Sequence, residues 1–131
     1  MKRIAGIALA LAAAGTAGCF GPNQYERQAD DVTKAIIAND MRPVEKDFNA
    51  LVRPKLESRG RVGQLSDQLV ALGAFKGVKE VTPSDAPPRS HKFDASFEKA
   101  AQPWIECMSY DVDGKISSFN VLPPGQHCPR T

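Results

Sequence analysis

The clearest hydrophobic pattern in the chain is a pair of alternating runs, residues 104–112 and 115–122, that meet at Asp113-Gly114. Asp-Gly favours the positive φ angles of a two-residue type I′ turn, so the stretch predicts a β-hairpin. With Val112 opposite Lys115, Met108 faces Phe119 and Glu106 faces Val121. One face then carries Trp104, Glu106, Met108, Tyr110, Val112, Phe119 and Val121, and the other Ile105, Cys107, Ser109, Asp111, Ile116, Ser118 and Asn120. The first face is large and mostly apolar, and it should receive whatever helices precede it.

Upstream the period changes. Residues 25–39 place Ala29, Val32, Ala35 and Ile36 on one side of a helix, with Glu26, Arg27, Asp31 and Lys34 elsewhere. A second helix is expected over residues 43–58, with Pro43 in its first turn, Val44, Phe48, Leu51 and Val52 as its stripe, and a kink or split at Pro54. A short third helix over residues 64–72 turns Leu65, Leu69 and Leu72 inward and stops at Gly73. Residues 75–82 read as a strand and residues 83–88 as a proline-rich loop. In residues 91–99, Phe93, Ala95 and Phe97 alternate with Lys92, Asp94, Ser96 and Glu98, as in a half-buried strand. Helices followed by a strand meander predict an α+β fold, with N-terminal helices packed on one face of a curved antiparallel sheet of about four strands.

The first residues belong to a different pattern. Lys2 and Arg3 precede an apolar run, residues 4–14, too short for a spanning helix, which needs about 20 residues. Thr16-Ala17-Gly18-Cys19 follows and resembles the lipobox of bacterial lipoproteins, although Thr16 stands where that motif usually has Leu. The resemblance implies a signal peptide over residues 1–18 and a lipid on Cys19. Gly21-Pro22 makes residues 19–24 a tether, and the remaining length suits a single domain over residues 25–131. Phe20 is not the Asp that resembles an inner-membrane retention signal, which points to the outer membrane. The alternative is an ordinary secretory signal cut near Ala14 or Ala17, with Cys19 left as a free thiol.

Charge and cysteine usage sharpen this. The chain has 17 basic and 15 acidic side chains, and loss of Lys2 and Arg3 with the leader leaves 15 of each. A neutral mature protein has no electrostatic case for nucleic acid. The basic cluster Arg53, Lys55, Arg59 and Arg61 reads as a solvated helix end rather than a patch for an anionic partner or lipid headgroup. If Cys19 of the three cysteines carries lipid, Cys107 and Cys128 remain as a disulfide pair for an oxidising compartment. Otherwise Cys107 is a small buried residue and Cys128 a free tail thiol.

The succession FNALVRPKL, SDQLVALGAFKGV, FDASF and YDVDGKISSFNVLPPG resembles bacterial domains of the nuclear transport factor 2-like superfamily over about residues 30–125. The resemblance implies a cone-shaped sheet wrapped on helices, often a homodimer, often with a pocket between the layers. It implies no activity, because one fold hosts many functions. No zinc-type spacing, phosphate loop or nucleophile elbow occurs, and no cofactor is expected. The candidate pocket residues are Trp104, Glu106, Met108, Tyr110 and Phe119. Glu106, set among apolar neighbours, is expected at the sheet edge or in an ion pair with a helix Lys or Arg. The resulting expectation is a non-enzymatic envelope lipoprotein that binds a small ligand or an envelope protein. The alternatives are an isomerase- or dehydratase-type pocket enzyme using Glu106 or Asp94, with Tyr110 and His91 as further acid–base candidates, and a structural or immunity-type envelope factor.

Overall fold

The computed structural model describes residues 22–57, 59–81 and 89–129. The leader, Cys19 and the loop over residues 83–88 lie outside them. Helix α1, Gln24–Ile37, begins one residue before the expected start because Asn23 and Glu26 form a reciprocal cap. The Asn23 carboxamide accepts from Glu26 N at 2.8 Å, and the Glu26 carboxylate accepts from Asn23 N at 3.0 Å. Two otherwise orphaned donors at the helix start are thereby satisfied. The stripe Ala29, Val32, Ala35 and Ile36 is buried as expected, and Thr33 is buried with it.

The helix expected over residues 43–58 does not form. In its place are two short 3-10 turns, Arg42–Asp47 and Arg53–Lys55. Pro43 and Pro54 each lack a backbone donor, and Pro54 disfavours a helical residue before it. Between the turns the chain is drawn to the sheet. Phe48 is extended, with φ −96° and ψ 150°, and makes a parallel bridge to Ile116. Asn49 N donates to Ile116 O at 2.9 Å. Val44 and Phe48 still reach the core, whereas Leu51 is 81% exposed, because no helical period carries it inward.

Helix α2, Arg61–Val70, starts before the expected residue 64 and buries Val62, Ser66 and Leu69. The Ser66 hydroxyl donates to Ile37 O at 3.0 Å, tying α2 to the end of α1. Leu65 and Leu72 pack against the core from its margin. Gly73 then turns the chain at φ +81°, where a Cβ would stand 2.7 Å from Glu98 Oε1 and 3.1 Å from Lys99 Cγ. Gly73→Ala should therefore cost about 1–2 kcal/mol from the left-handed backbone alone. Urea unfolding measures this, and an unchanged midpoint would mean that the turn relaxes freely.

The sheet contains β1 (Phe75–Val81), β2 (Ser90–Phe97), β3 (Trp104–Tyr110) and β4 (Ile116–Leu122), antiparallel and in chain order. Glu106 pairs with Val121 and Met108 with Phe119, as the alternation predicts. The turn itself differs. Asp113 keeps a negative φ and only Gly114, at +80°, enters the left-handed region. Gly114 N donates to Asp111 O at 3.1 Å and Asp111 N to Lys115 O at 2.8 Å. This closes a three-residue loop over residues 112–114, a type I turn followed by a left-handed residue, instead of a type I′ turn. The Asp111 carboxylate reinforces it by accepting from Asp113 N and Lys115 N, both at 2.9 Å. A bulge at Ser117 then restores the register. Two expected placements change as a result. Ile116 pairs with Tyr110 and is fully buried on the helix face, and Val112 stands 78% exposed at the loop.

The helix face carries Phe93, Ala95, Phe97, Met108, Ile116 and Val121 against Ala29, Val32, Ile36 and Leu69. On the opposite face Cys107 and Cys128 stand at disulfide distance, with Cα atoms 5.6 Å apart. The tail reverses after β4, where Gln126 N donates to Pro123 O. Ile105 and Cys107 are thus buried on a face that no helix among the described residues covers. No helix among the described residues is long and apolar enough to cross a membrane.

Candidate functional site

Among the described residues Glu106 is the only charged-type side chain in the core, fully buried within β3. It sits neither at the sheet edge nor in an ion pair, which corrects the expectation for it. Its β2 neighbour is Phe93 and its β4 neighbour Val121, both apolar and on the same face. Its polar contact comes from α1, where Thr33 Oγ1 lies 2.6 Å from Glu106 Oε2. The same hydroxyl lies 2.7 Å from Ala29 O. A threonine hydroxyl has one proton and a carbonyl can only accept. If Thr33 donates to Ala29 O, Glu106 must bring the proton for the second hydrogen bond. A neutral Glu106 donating to Thr33 satisfies the whole chain, whereas an ionised one would compete for the same proton.

Burial acts in the same direction. Desolvation pushes the Glu106 carboxyl up to about 8, against a downward pull from the Thr33 hydrogen bond and a further upward push from Asp30. Glu106 Oε1 has no hydrogen-bond partner. An isolated charge with one bare oxygen is expensive in such a site, so protonation is the cheaper state at neutral pH. Thr33 was not anticipated from sequence. Its signal is a polar residue within the buried stripe of α1, beside Val32 and Ile36.

The five expected pocket residues share a face but not a pocket. Phe119 lines a cleft of about 410 Å³ between the helices, the 3-10 segment and β4. Tyr110 lines a separate, more polar cleft with His91. Trp104 packs half-buried at the core margin, Met108 is 1% exposed within it, and neither these two nor Glu106 lines either cleft. Asp94 pairs with Ile105, so it lies on the opposite sheet face from Glu106 and cannot act with it.

The helix–sheet cleft has an apolar floor of Val32, Ile36, Phe48 and Val121, with half-buried Leu56 and Leu65 as walls. Lys55 and Arg61 stand exposed in its lining. Neither makes a salt bridge among the described residues. The failure of the second helix creates this geometry. The chain over residues 48–56 wraps the cleft instead of filling it with a packed helical stripe. No group of three or more His, Cys, Asp or Glu side chains suited to a metal ion occurs among the described residues. No family model, curated protein or solved structure matches the chain.

Proposed function

We propose that the chain is a cell-envelope lipoprotein, anchored through Cys19, whose α+β domain binds a small amphiphile with an acidic head group. The helix–sheet cleft carries this proposal. Its volume of about 410 Å³ falls in the range of small-molecule sites, roughly 300–1,000 Å³. An apolar floor suits an aliphatic or ring body, and Lys55 and Arg61 supply two cations for a carboxylate or similar head at the mouth. The exposed basic cluster, expected to be a plain solvated face, thus acquires a use for two of its members. Likeness to nuclear transport factor 2-like domains belongs to the same proposal, supported by helices laid over one face of a four-stranded antiparallel sheet.

Titration calorimetry with laurate and with its neutral methyl ester tests the cleft. Laurate should bind more tightly than the ester, and Lys55→Glu with Arg61→Glu should weaken it about tenfold or more, equivalent to roughly 1.4 kcal/mol. Equal binding of laurate and ester, or no effect of charge reversal, would remove the head-group assignment. Leu65→Trp should fill the wall and abolish binding of both.

The anchor has its own test. Cys19→Ser should move the protein from the membrane pellet to the soluble periplasmic fraction. A wild-type protein already soluble, with Ala17 or Gly18 at its mature N-terminus, would overturn the lipid assignment. It would leave the cleft untouched.

A further inference from the structure

The polar cleft, about 510 Å³ in volume, lies where the start of α1 meets the first residues of β2 and the β3–β4 hairpin. Tyr25, Gln28, Arg89, His91 and Tyr110 line it. His91 Nδ1 is 2.6 Å from Glu80 Oε2. A carboxylate only accepts, so the proton of neutral His91 sits on Nδ1 and the lone pair is on Nε2. Nε2 has no partner among the described residues, and the buried side-chain polar atom left without a partner there is Glu106 Oε1. Nε2 is the ring nitrogen that Glu80 leaves for the cleft that His91 lines.

The ring is held more firmly than a surface pair requires. Tyr25 stacks on it at a centroid distance of 3.9 Å, and Tyr110 meets it edge-on at 5.6 Å. Glu80 is fixed in turn, its second oxygen accepting from Asn23 Nδ2 at 2.9 Å and its backbone N donating to Glu26 Oε2 at 2.7 Å. The helix cap and the His91 clamp are thus one hydrogen-bonded unit. Donors stand on the same walls. Tyr110 gives its hydroxyl proton to Gln28 Oε1, which leaves the Gln28 amide N–H groups for a ligand. Arg89 has no carboxylate within salt-bridge distance among the described residues.

We infer that this cleft is an acid–base site in which His91, oriented by Glu80, activates water against a small carboxylic ester. His91 Nε2 takes a proton from water as the water oxygen bonds to the ester carbonyl carbon. The carbonyl oxygen gains negative charge, which a donor from the cleft lining, Gln28 or Arg89, would receive, while Asp111 is the carboxylate in the same lining. Collapse breaks the bond between that carbon and the alcohol oxygen. His91 returns its proton to the leaving alcohol, so one water is consumed and one acid and one alcohol are released. The site is independent of the amphiphile cleft, and it draws on neither Glu106 nor Asp94.

Hydrolysis of 4-nitrophenyl acetate by the purified protein tests it. The wild type should show a saturable rate above buffer. His91→Gln should lower kcat at least tenfold, while His127→Gln, in the exposed tail, should leave it unchanged. Glu80→Gln should lower kcat with little change in KM, because the ring is no longer held with its proton on Nδ1. A merely structural pair would not separate kcat from KM in this way. If His91→Gln does not fold, diethyl pyrocarbonate modification of the wild type serves instead, with loss of rate tracking the modification of His91 and not of His127. No saturable rate above buffer, or full activity after loss of His91, overturns the inference.

Discussion

Glu106→Gln is expected to raise the stability of the folded domain at pH 8 by a few kcal/mol, and to lower it at pH 4 by about 1–3 kcal/mol. Burial lifts the Glu106 carboxyl from an ordinary 4.5 to about 8. Below 4.5 both folded and unfolded chains hold the proton, and the neutral acid contributes its full stabilising hydrogen bond to Thr33. Between 4.5 and about 8 the unfolded chain releases the proton and the folded one keeps it. Folded stability must then fall as pH rises, at up to about 1.4 kcal/mol per pH unit for this one group. Above about 8 the folded state also ionises and the loss levels off.

Gln has no such dependence. It can donate to Thr33 as the neutral acid does, but it adds a second amide N–H with no partner in an apolar site, which accounts for the penalty at low pH. The two stability curves should cross between pH 4 and 8. Urea unfolding of both proteins across that range measures the difference, in which all other titrating groups cancel. Parallel curves would mean that Glu106 is ionised and paired in the folded protein. Thr33→Val offers an independent check. It removes the one polar partner of the carboxyl among the described residues, so the Glu106 wild-type slope should persist while stability falls at every pH.

That Glu106 faces the apolar side was legible from the alternation around Trp104 and Met108, but its full burial was not, because the alternation does not show that β3 is an inner strand covered by α1. Thr33 lies 73 residues away in the chain, and only packing of α1 on β3 brings the two together. The hairpin register was legible for a less direct reason. A three-residue loop shifts the pairing by one residue and the Ser117 bulge shifts it back. Glu106 and Met108 therefore face the expected partners, and only Ile116 and Val112, nearest the turn, are displaced. The segment over residues 43–58 was misread because its apolar spacing suits a helix. A period cannot register that two prolines and a bridge from Phe48 to Ile116 compete with helical hydrogen bonds. The apolar cleft is built from that same segment, so it was hidden for the same reason. The Glu80–His91 pair escaped notice because β1 and β2 must first be aligned across the loop between them.

Replacing both Cys107 and Cys128 by Ser should destabilise the domain by about 3 kcal/mol or more, the loop-closure value for a bridge across roughly 20 residues. For a domain near 110 residues this is a fall in Tm of roughly 10–15 °C. The sequence separation is 21 and the Cα atoms are 5.6 Å apart, a spacing that a bridge spans without moving the backbone. The structural consequence goes beyond chain entropy. Helices and 3-10 segments cover one face of the sheet, while the other has Ile105 and Cys107 buried with no helix among the described residues over them. Cys107 lies between Lys92 and Asn120 on the inner strand β3, so a tail fixed there holds the centre of that face rather than its margin. Without the bridge the tail has little else to hold it, since its residues beyond Pro124 are mostly exposed. Ile105 should then become accessible, and amide exchange across β3 and β4 should quicken before global unfolding. Non-reducing mass spectrometry should find the wild type two hydrogens lighter than the reduced chain. Two free thiols under oxidising conditions, or a double variant with the wild-type Tm, would show that the outer face is held by something other than this pair.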